Sequence, residues 1–429
     1  MLAMEEYDID AATGFFPAEP LPPLTGQFGF WENALEDAKR DLSLGTDERE
    51  KAKANRAKGE VWRARIRSFP ILDIECLEDD DRLHKRAHMV LAFLVNFYVH
   101  SQPPRAADEQ VHVPACLAIP IVRVSRILGI APVLTFADVV LWNWTPINPE
   151  LPLSANNYRC MHTFSATETE RNFYLTSAKV EIRGVELLRI IDSYVHAPDI
   201  TDFSFISRTA KDLARLAAIV QDLMEIMTSV RETVDPYTFY WEVRPWWNGS
   251  DPKDGGWIYD GVPDSEKLPL SGPSAGQSTV MHALDVFLDV DHKLQQKRSP
   301  APSEGNKKSD KGFMERMRLY MPGKHQQFLI DLATLPTAIR EFSKDTPLLR
   351  EPFDAVVLTL KKLRDAHIRI ASLYIITMSN STPPSTSEAK EGTASQTKKG
   401  PAKGTGGNEL SVLLKAGRDA TARTMLSGN

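Results

Sequence analysis

The sequence predicts a mainly α-helical protein, with a smaller, mostly helical N-terminal domain over residues 29–165 and a large all-helical domain over residues 166–429. Three observations predict it. In most long stretches the apolar residues recur at spacings of three and four, which gathers them on one face of a helix. Few stretches alternate at a period of two, so an extensive sheet is not expected. No repeat of about 20–50 residues is present, which excludes a solenoid.

Residues 1–28 hold Pro17, Pro20, Pro22 and Pro23 and read as an extended N-terminal arm. "LHKRAHMVLAFLVNFYVH" (83–100) has a strong apolar face. "FYLTSAKVEIRGVELLRIIDSYV" (173–195) sets Phe173, Ser177, Val180, Leu187 and Ile191 along one side of a helix, and "KDLARLAAIVQDLMEIMTSV" (211–230) does the same with Leu213, Leu216, Val220, Leu223 and Met227. "QSTVMHALDVFLDVDHKL" (277–294) and "DAVVLTLKKLRDAHIRIASLYIITM" (354–378) follow the same rule. Two segments, 297–312 and 379–407, are rich in Ser, Thr, Pro, Gly and Lys, lack periodic apolar residues and read as mobile loops. A helical pattern resumes in "NELSVLLKAGRDATARTML" (408–426), so the second loop lies within the fold.

A chain of 429 residues, 42% hydrophobic and 25% charged, can bury a sizeable core. The net charge of −6 gives no general affinity for nucleic acid or anionic lipid. The N-terminus, "MLAMEEYDIDAATGFF", is acidic where a targeting peptide would be basic. The longest apolar run, "MVLAFLVNFYV", is too short to span a bilayer. Cys76, Cys116 and Cys160 are odd in number, dispersed and in no CxxC pair, which fits a reducing compartment. A soluble cytoplasmic protein is expected, without nucleic-acid or membrane partners and acting as a monomer.

Several motifs carry little chemistry. "HKRAH" (84–88) spaces two histidines at i and i+4 but lacks the glutamate of a zinc-protease helix, so two surface histidines are expected. "GTGG" (404–407) carries no phosphate-binding lysine, and the sequons at 248–250 and 380–382 have no secretory context. Others are more telling. In "LRDAHIRIASLYI" (363–375), His367 shares an apolar stripe with Phe353, Val356, Leu360, Leu363, Ile370 and Tyr374. Such a histidine is either a hydrogen-bonded core residue or an axial ligand to a haem, with Arg364 one turn away to meet a propionate. "FYWEVRPWWNGS" (239–250) surrounds Arg244 with five aromatic residues, giving either a stacked surface arginine or a carboxylate fork beside a ring-binding wall. "SGPSAGQSTV" (271–280) is either a capped helix start or a loop whose small residues let a flat ligand approach the backbone. "FYLTS" (173–177), taken alone, reads as core.

Together these stretches resemble the indoleamine 2,3-dioxygenase family of haem enzymes. "VPACLAIP", "LTFADVVLWNW", "SGPSAGQS", "MRLYMPGKHQQFL", "LRDAHIRI" and "KGTGGNEL" occur in the family's order, from about residue 112 to the C-terminus. The resemblance implies that haem b is held by His367 as proximal iron ligand, with Arg364 near a propionate and Asp285 associated with it. It places Phe173 and Ser177 on the distal side, Phe239 against the substrate indole and Arg244 on the substrate carboxylate. Ser274 and Ala275 match the loop over the haem, and Thr405 the loop that closes the pocket. Phe136 stands where animal members often have tyrosine, Tyr240 where many have a second phenylalanine, and Pro273 where others have glycine. The long loops match fungal-type members.

The implied reaction inserts both atoms of O₂ across the indole C2–C3 bond of L-tryptophan to give N-formylkynurenine. This is the first step of tryptophan catabolism towards kynurenine and NAD precursors, and an external reductant keeps the iron ferrous. Ser177 is not expected to be an obligatory base. A haem-binding oxygen or redox sensor is the alternative, and Arg244 with Phe239 distinguishes the two.

Overall fold

The structure, a computed structural model, describes residues 3–77, 80–106, 109–197, 202–251, 255–292, 312–335, 338–384 and 410–427. It is mainly helical, as the periodicity requires. The N-terminal half contains α1 (Gly29–Asp41), α2 (Glu50–Arg67), α3 (Asp81–His100) and α4 (Ala115–Leu128). The second half is built on α5 (Glu168–Val195), α6 (Phe203–Thr228), α7 (Thr279–Phe287), α8 (Phe313–Arg318), α9 (Gly323–Ala333), α10 (Ile339–Asp345), α11 (Pro347–Ala371) and α12 (Leu410–Thr424). The strands are short: β1 (Val111–Val113), β2 (Trp144–Thr145), β3 (Arg159–Cys160) and β4 (Trp257–Tyr259). β1 pairs in parallel with β4, and β2 is antiparallel to β3.

α11 is the central element, lying lengthwise on α6 and flanked by α12 and α10. Its inward stripe of Phe353, Val356, Leu360 and Leu363 is buried as the spacing predicts. α5 lies beside α6, and its start is fixed locally. Thr167 caps it by accepting the Glu170 amide, while the buried Glu170 carboxylate accepts the amides of Phe164 and Ser165 at 2.9 and 2.7 Å. The buried apolar residues form one cluster that runs from Ile9, Phe15 and Phe16 in the N-terminal arm to Ala420 in α12.

Two local expectations are corrected. His84 and His88 are buried in α3, not on the surface. The His88 ring lies 2.8 Å from Asp138 Oδ1 and 3.1 Å from the Ala131 carbonyl, so both nitrogens are engaged with acceptors. Adjacent charged residues hid this, because Lys85 and Arg86 are themselves buried on carboxylates: Lys85 on Asp8 and Arg86 on Glu32. The helix expected over 277–294 ends at Phe287, because Asp289 turns left-handed with φ 56°. An aspartate tolerates that conformation better than most residues, and the reversal brings His292 back onto Asp285. The loops at 297–312 and 379–407 fall mostly outside the described residues.

Candidate active site

Helices α5, α6, α7, α11 and α12 and the 239–247 and 272–278 segments enclose a cavity of about 390 Å³. This is within the range of small-molecule and cofactor sites. Phe136, Phe173, Ser177, Phe239, Arg244, Ser274, Ala275, Asp285, Arg364 and His367, all singled out in the sequence, line this one cavity. Tyr240 is not brought to its wall, and Thr405 lies outside the described residues.

His367 projects from α11 with Leu363, Ile370 and Tyr374 around it. Neither of its ring nitrogens has a hydrogen-bond partner among the described residues, so it is not a hydrogen-bonded core histidine. Burial, and then the Arg364 charge, lower its pKa and keep the imidazole neutral, the form that binds a metal. Arg364 is held from three sides. Its Nη2 lies 2.6 Å from both oxygens of Asp285, and its Nη1 donates to the Gly417 carbonyl at 3.0 Å and to the Thr421 hydroxyl. Asp285 also accepts from His292 Nε2 at 2.7 Å. Burial opposes the Asp285 charge, but Arg364 and His292 outweigh it and hold its pKa at about 2.

The opposite wall is aromatic. The rings of Phe173 and Phe239 are 4.8 Å apart, Trp247 lies 5.2 Å from Phe173, and Tyr374 meets Phe239 edge-on at 5.6 Å. Phe239 sits in a widened turn, Phe239–Val243, that runs directly into a tight one, Arg244–Trp247. The N-terminal half braces both turns, through Asn96 on the Trp246 carbonyl and Arg49 on Glu242. Burial lowers the Arg244 pKa, and its guanidinium lies over the Tyr240 ring at 5.5 Å. Tyr240 thus supports the arginine from behind.

The small-residue loop is pressed onto this wall. A Cβ on Gly272 would fall 1.8 Å from the Trp247 carbonyl oxygen, so only glycine fits there. Gln277 ties the loop at both ends, donating to the Gly272 carbonyl and accepting the Phe136 amide, each at 2.9 Å. Ser274 caps the following turn and Ser278 caps α7, so the capped start and the open approach to a ligand coexist. Among the lining residues not singled out in the sequence are Glu181 and His292, whereas Trp247 belongs to the aromatic stretch around Arg244. Glu181 lies one turn after Ser177, which was a usable signal. His292 was not legible, because the expected helix pointed it elsewhere.

The neutral, unpartnered imidazole, apolar walls and fixed Arg364–Asp285 pair fit a haem. The whole chain agrees with the site, since the family model of indoleamine 2,3-dioxygenase matches residues 3–424. The chain belongs to this family. Family members are haem-iron enzymes that oxidise tryptophan with O₂. Among relatives, indoleamine 2,3-dioxygenase 1 of Rattus norvegicus is 29% identical over 431 residues, covering 99% of this chain and 96% of its own. Indoleamine 2,3-dioxygenase of Saccharomyces cerevisiae is 29% identical over 395 residues, covering 84% and 83%. A myoglobin of the abalone Haliotis madaka is 26% identical over 401 residues, covering 92% and 95%. No helix among the described residues is long and apolar enough to cross a membrane.

Proposed function

We propose that this dioxygenase inserts both atoms of O₂ across the C2–C3 bond of L-tryptophan and releases N-formylkynurenine, feeding kynurenine and NAD-precursor synthesis. His367 holds the iron of haem b, and Asp285 and Arg364 balance charge beside a propionate. The haem supplies O₂ binding and activation when its iron is ferrous, for which an external reductant is required. We assign most cofactor and substrate contacts to residues 166–429, with residues 29–165 contributing Phe136 to the wall and otherwise support, and 1–28 as an arm, in a cytoplasmic monomer.

The chain's own contribution is positioning. Phe173, Phe239 and Phe136 hold the indole flat, and Ser274 and Ala275 leave room beside it. Arg244 receives the carboxylate with its planar fork, its direction fixed by Tyr240. Such fixation lowers a barrier by roughly several kcal/mol through lost motion alone. Ser177 moves no proton in this reading, because its hydroxyl already donates to the Phe173 carbonyl at 3.1 Å.

The observation that carries the proposal is that Arg244 and Phe239 share one cavity with His367. The relative named myoglobin favours a second reading, a haem-binding oxygen or redox sensor with little dioxygenase activity. The test is to purify the protein with haem supplied, reduce it anaerobically, then admit O₂ and L-tryptophan. Accumulation of N-formylkynurenine over many turnovers supports the enzyme. A stable oxygenated spectrum unchanged by tryptophan leaves the second reading standing.

A further inference from the structure

Glu181 has no part in the reaction just described, yet it is 2% exposed and lies in the cavity wall. It projects from α5 one turn beyond Ser177. Its Oε1 accepts the hydroxyl proton of Ser278, the residue that caps α7 by receiving the Met281 amide. Its Oε2 is buried and has no side-chain partner among the described residues. A carboxyl group with one oxygen satisfied and one stranded is costly, and a leucine would fill the space at less expense. What the group does make is the bond to Ser278.

That bond joins two walls. α5 carries Phe173 and Ser177. α7 carries Asp285, and through it the Arg364 guanidinium one turn from His367. The helices meet closely just beyond, where a Cβ on Gly184 would lie 2.5 Å from Val280 Cγ1. Glu181 therefore grips the first turn of α7 at the point where the helices touch; burial pushes its carboxyl up to about 7, with the Ser278 hydroxyl and the Val280 amide opposing that rise.

We propose that Glu181 is a positioning residue for the cofactor: by its bond to Ser278 it fixes α7 against α5, and this fixation governs how long haem stays in the cavity. The inference rests on the haem reading given above. Replacing either partner lets α7 move away from α5, carrying Asp285 off the Arg364 guanidinium that lies one turn from His367.

The test measures haem transfer from ferric holoprotein to excess apoglobin, followed at the Soret band, together with thermal unfolding of each apoprotein. Stoichiometric haem binding by the wild type comes first, since its failure overturns the haem reading and not this one. Glu181→Leu and Ser278→Ala should each release haem about tenfold faster or more, and the double variant no faster than the worse single, because both remove one shared interaction. Glu181→Gln keeps an acceptor for Ser278 and should stay within about twofold of wild type. Thr279→Ala, which removes a neighbouring hydroxyl that has no partner, should release haem as wild type does. The order of release rates should not follow the order of apoprotein melting. Release at the wild-type rate from Ser278→Ala overturns the proposal, even if Glu181→Leu fails to fold. So do multiplied effects in the double variant, or a glutamine variant as leaky as the leucine one.

Discussion

Arg364 binds both carboxylate oxygens of Asp285 with a single nitrogen, at 2.6 Å, across the gap between α7 and α11. The pair is buried and its charges are satisfied, so its energy depends on both members being ionised.

The first expectation concerns acid. Asp285 is held at about 2 against an ordinary 3.8, so its folded form binds a proton less readily than its unfolded form. Its contribution, about 2 kcal/mol, is complete above 3.8 and disappears as pH falls towards 2. Asp285→Asn should lack this dependence and lose roughly 3–5 kcal/mol at neutral pH, because it strands a buried guanidinium. Denaturant unfolding of both proteins between pH 2 and pH 7 checks it. Parallel curves would refute the assignment.

His367→Ala should abolish stable haem binding while the far-UV helical signal stays close to wild type. Titration with haem, read at the Soret band, decides the matter. A normal band at full stoichiometry would remove His367 as the ligand.

Ser177→Ala should keep substantial activity, with kcat reduced by less than about tenfold, since the hydroxyl transfers no proton. Loss of turnover to background, with haem and tryptophan still bound, would make Ser177 an obligatory catalyst.

Arg244→Leu should lower kcat/KM for L-tryptophan by the equivalent of roughly 2–4 kcal/mol, with CO binding to the ferrous haem near normal. Arg244→Lys should recover only part of this, because a point charge does not reproduce the fork. Unchanged kcat/KM in the leucine variant would take Arg244 out of the substrate site.

Tyr240→Ala should raise KM severalfold with kcat almost intact, since stacking at the wall's outer side is worth about 0.5–1 kcal/mol. Tyr240→Phe should be near neutral. A collapse of kcat in the alanine variant would instead mean direct contact with the reacting atoms.

The sequence was most informative where function and periodicity coincide. The stripe of α11 placed His367 and Arg364 on one buried face, and the structure keeps them there. The 239–250 stretch, the 272–278 loop and His367 lie in separate parts of the sequence, and only the resemblance joined them. What remained hidden depends on contacts made at a distance. The parallel pairing of Val111 with Trp257 has no local signal. His88 looked solvated because its cationic neighbours find carboxylates on other elements. The bond Glu181 makes was not legible, because its donor Ser278 lies almost a hundred residues later.

Leu413, Leu414 and Gly417 of α12 line the cavity, and Arg364 fastens that helix through Gly417 and Thr421. The ion pair that borders the cavity is therefore also the clasp that docks α12. Filling the cavity and seating that helix are consequently linked: whatever loosens α12 opens the wall, and whatever occupies the cavity holds the helix down.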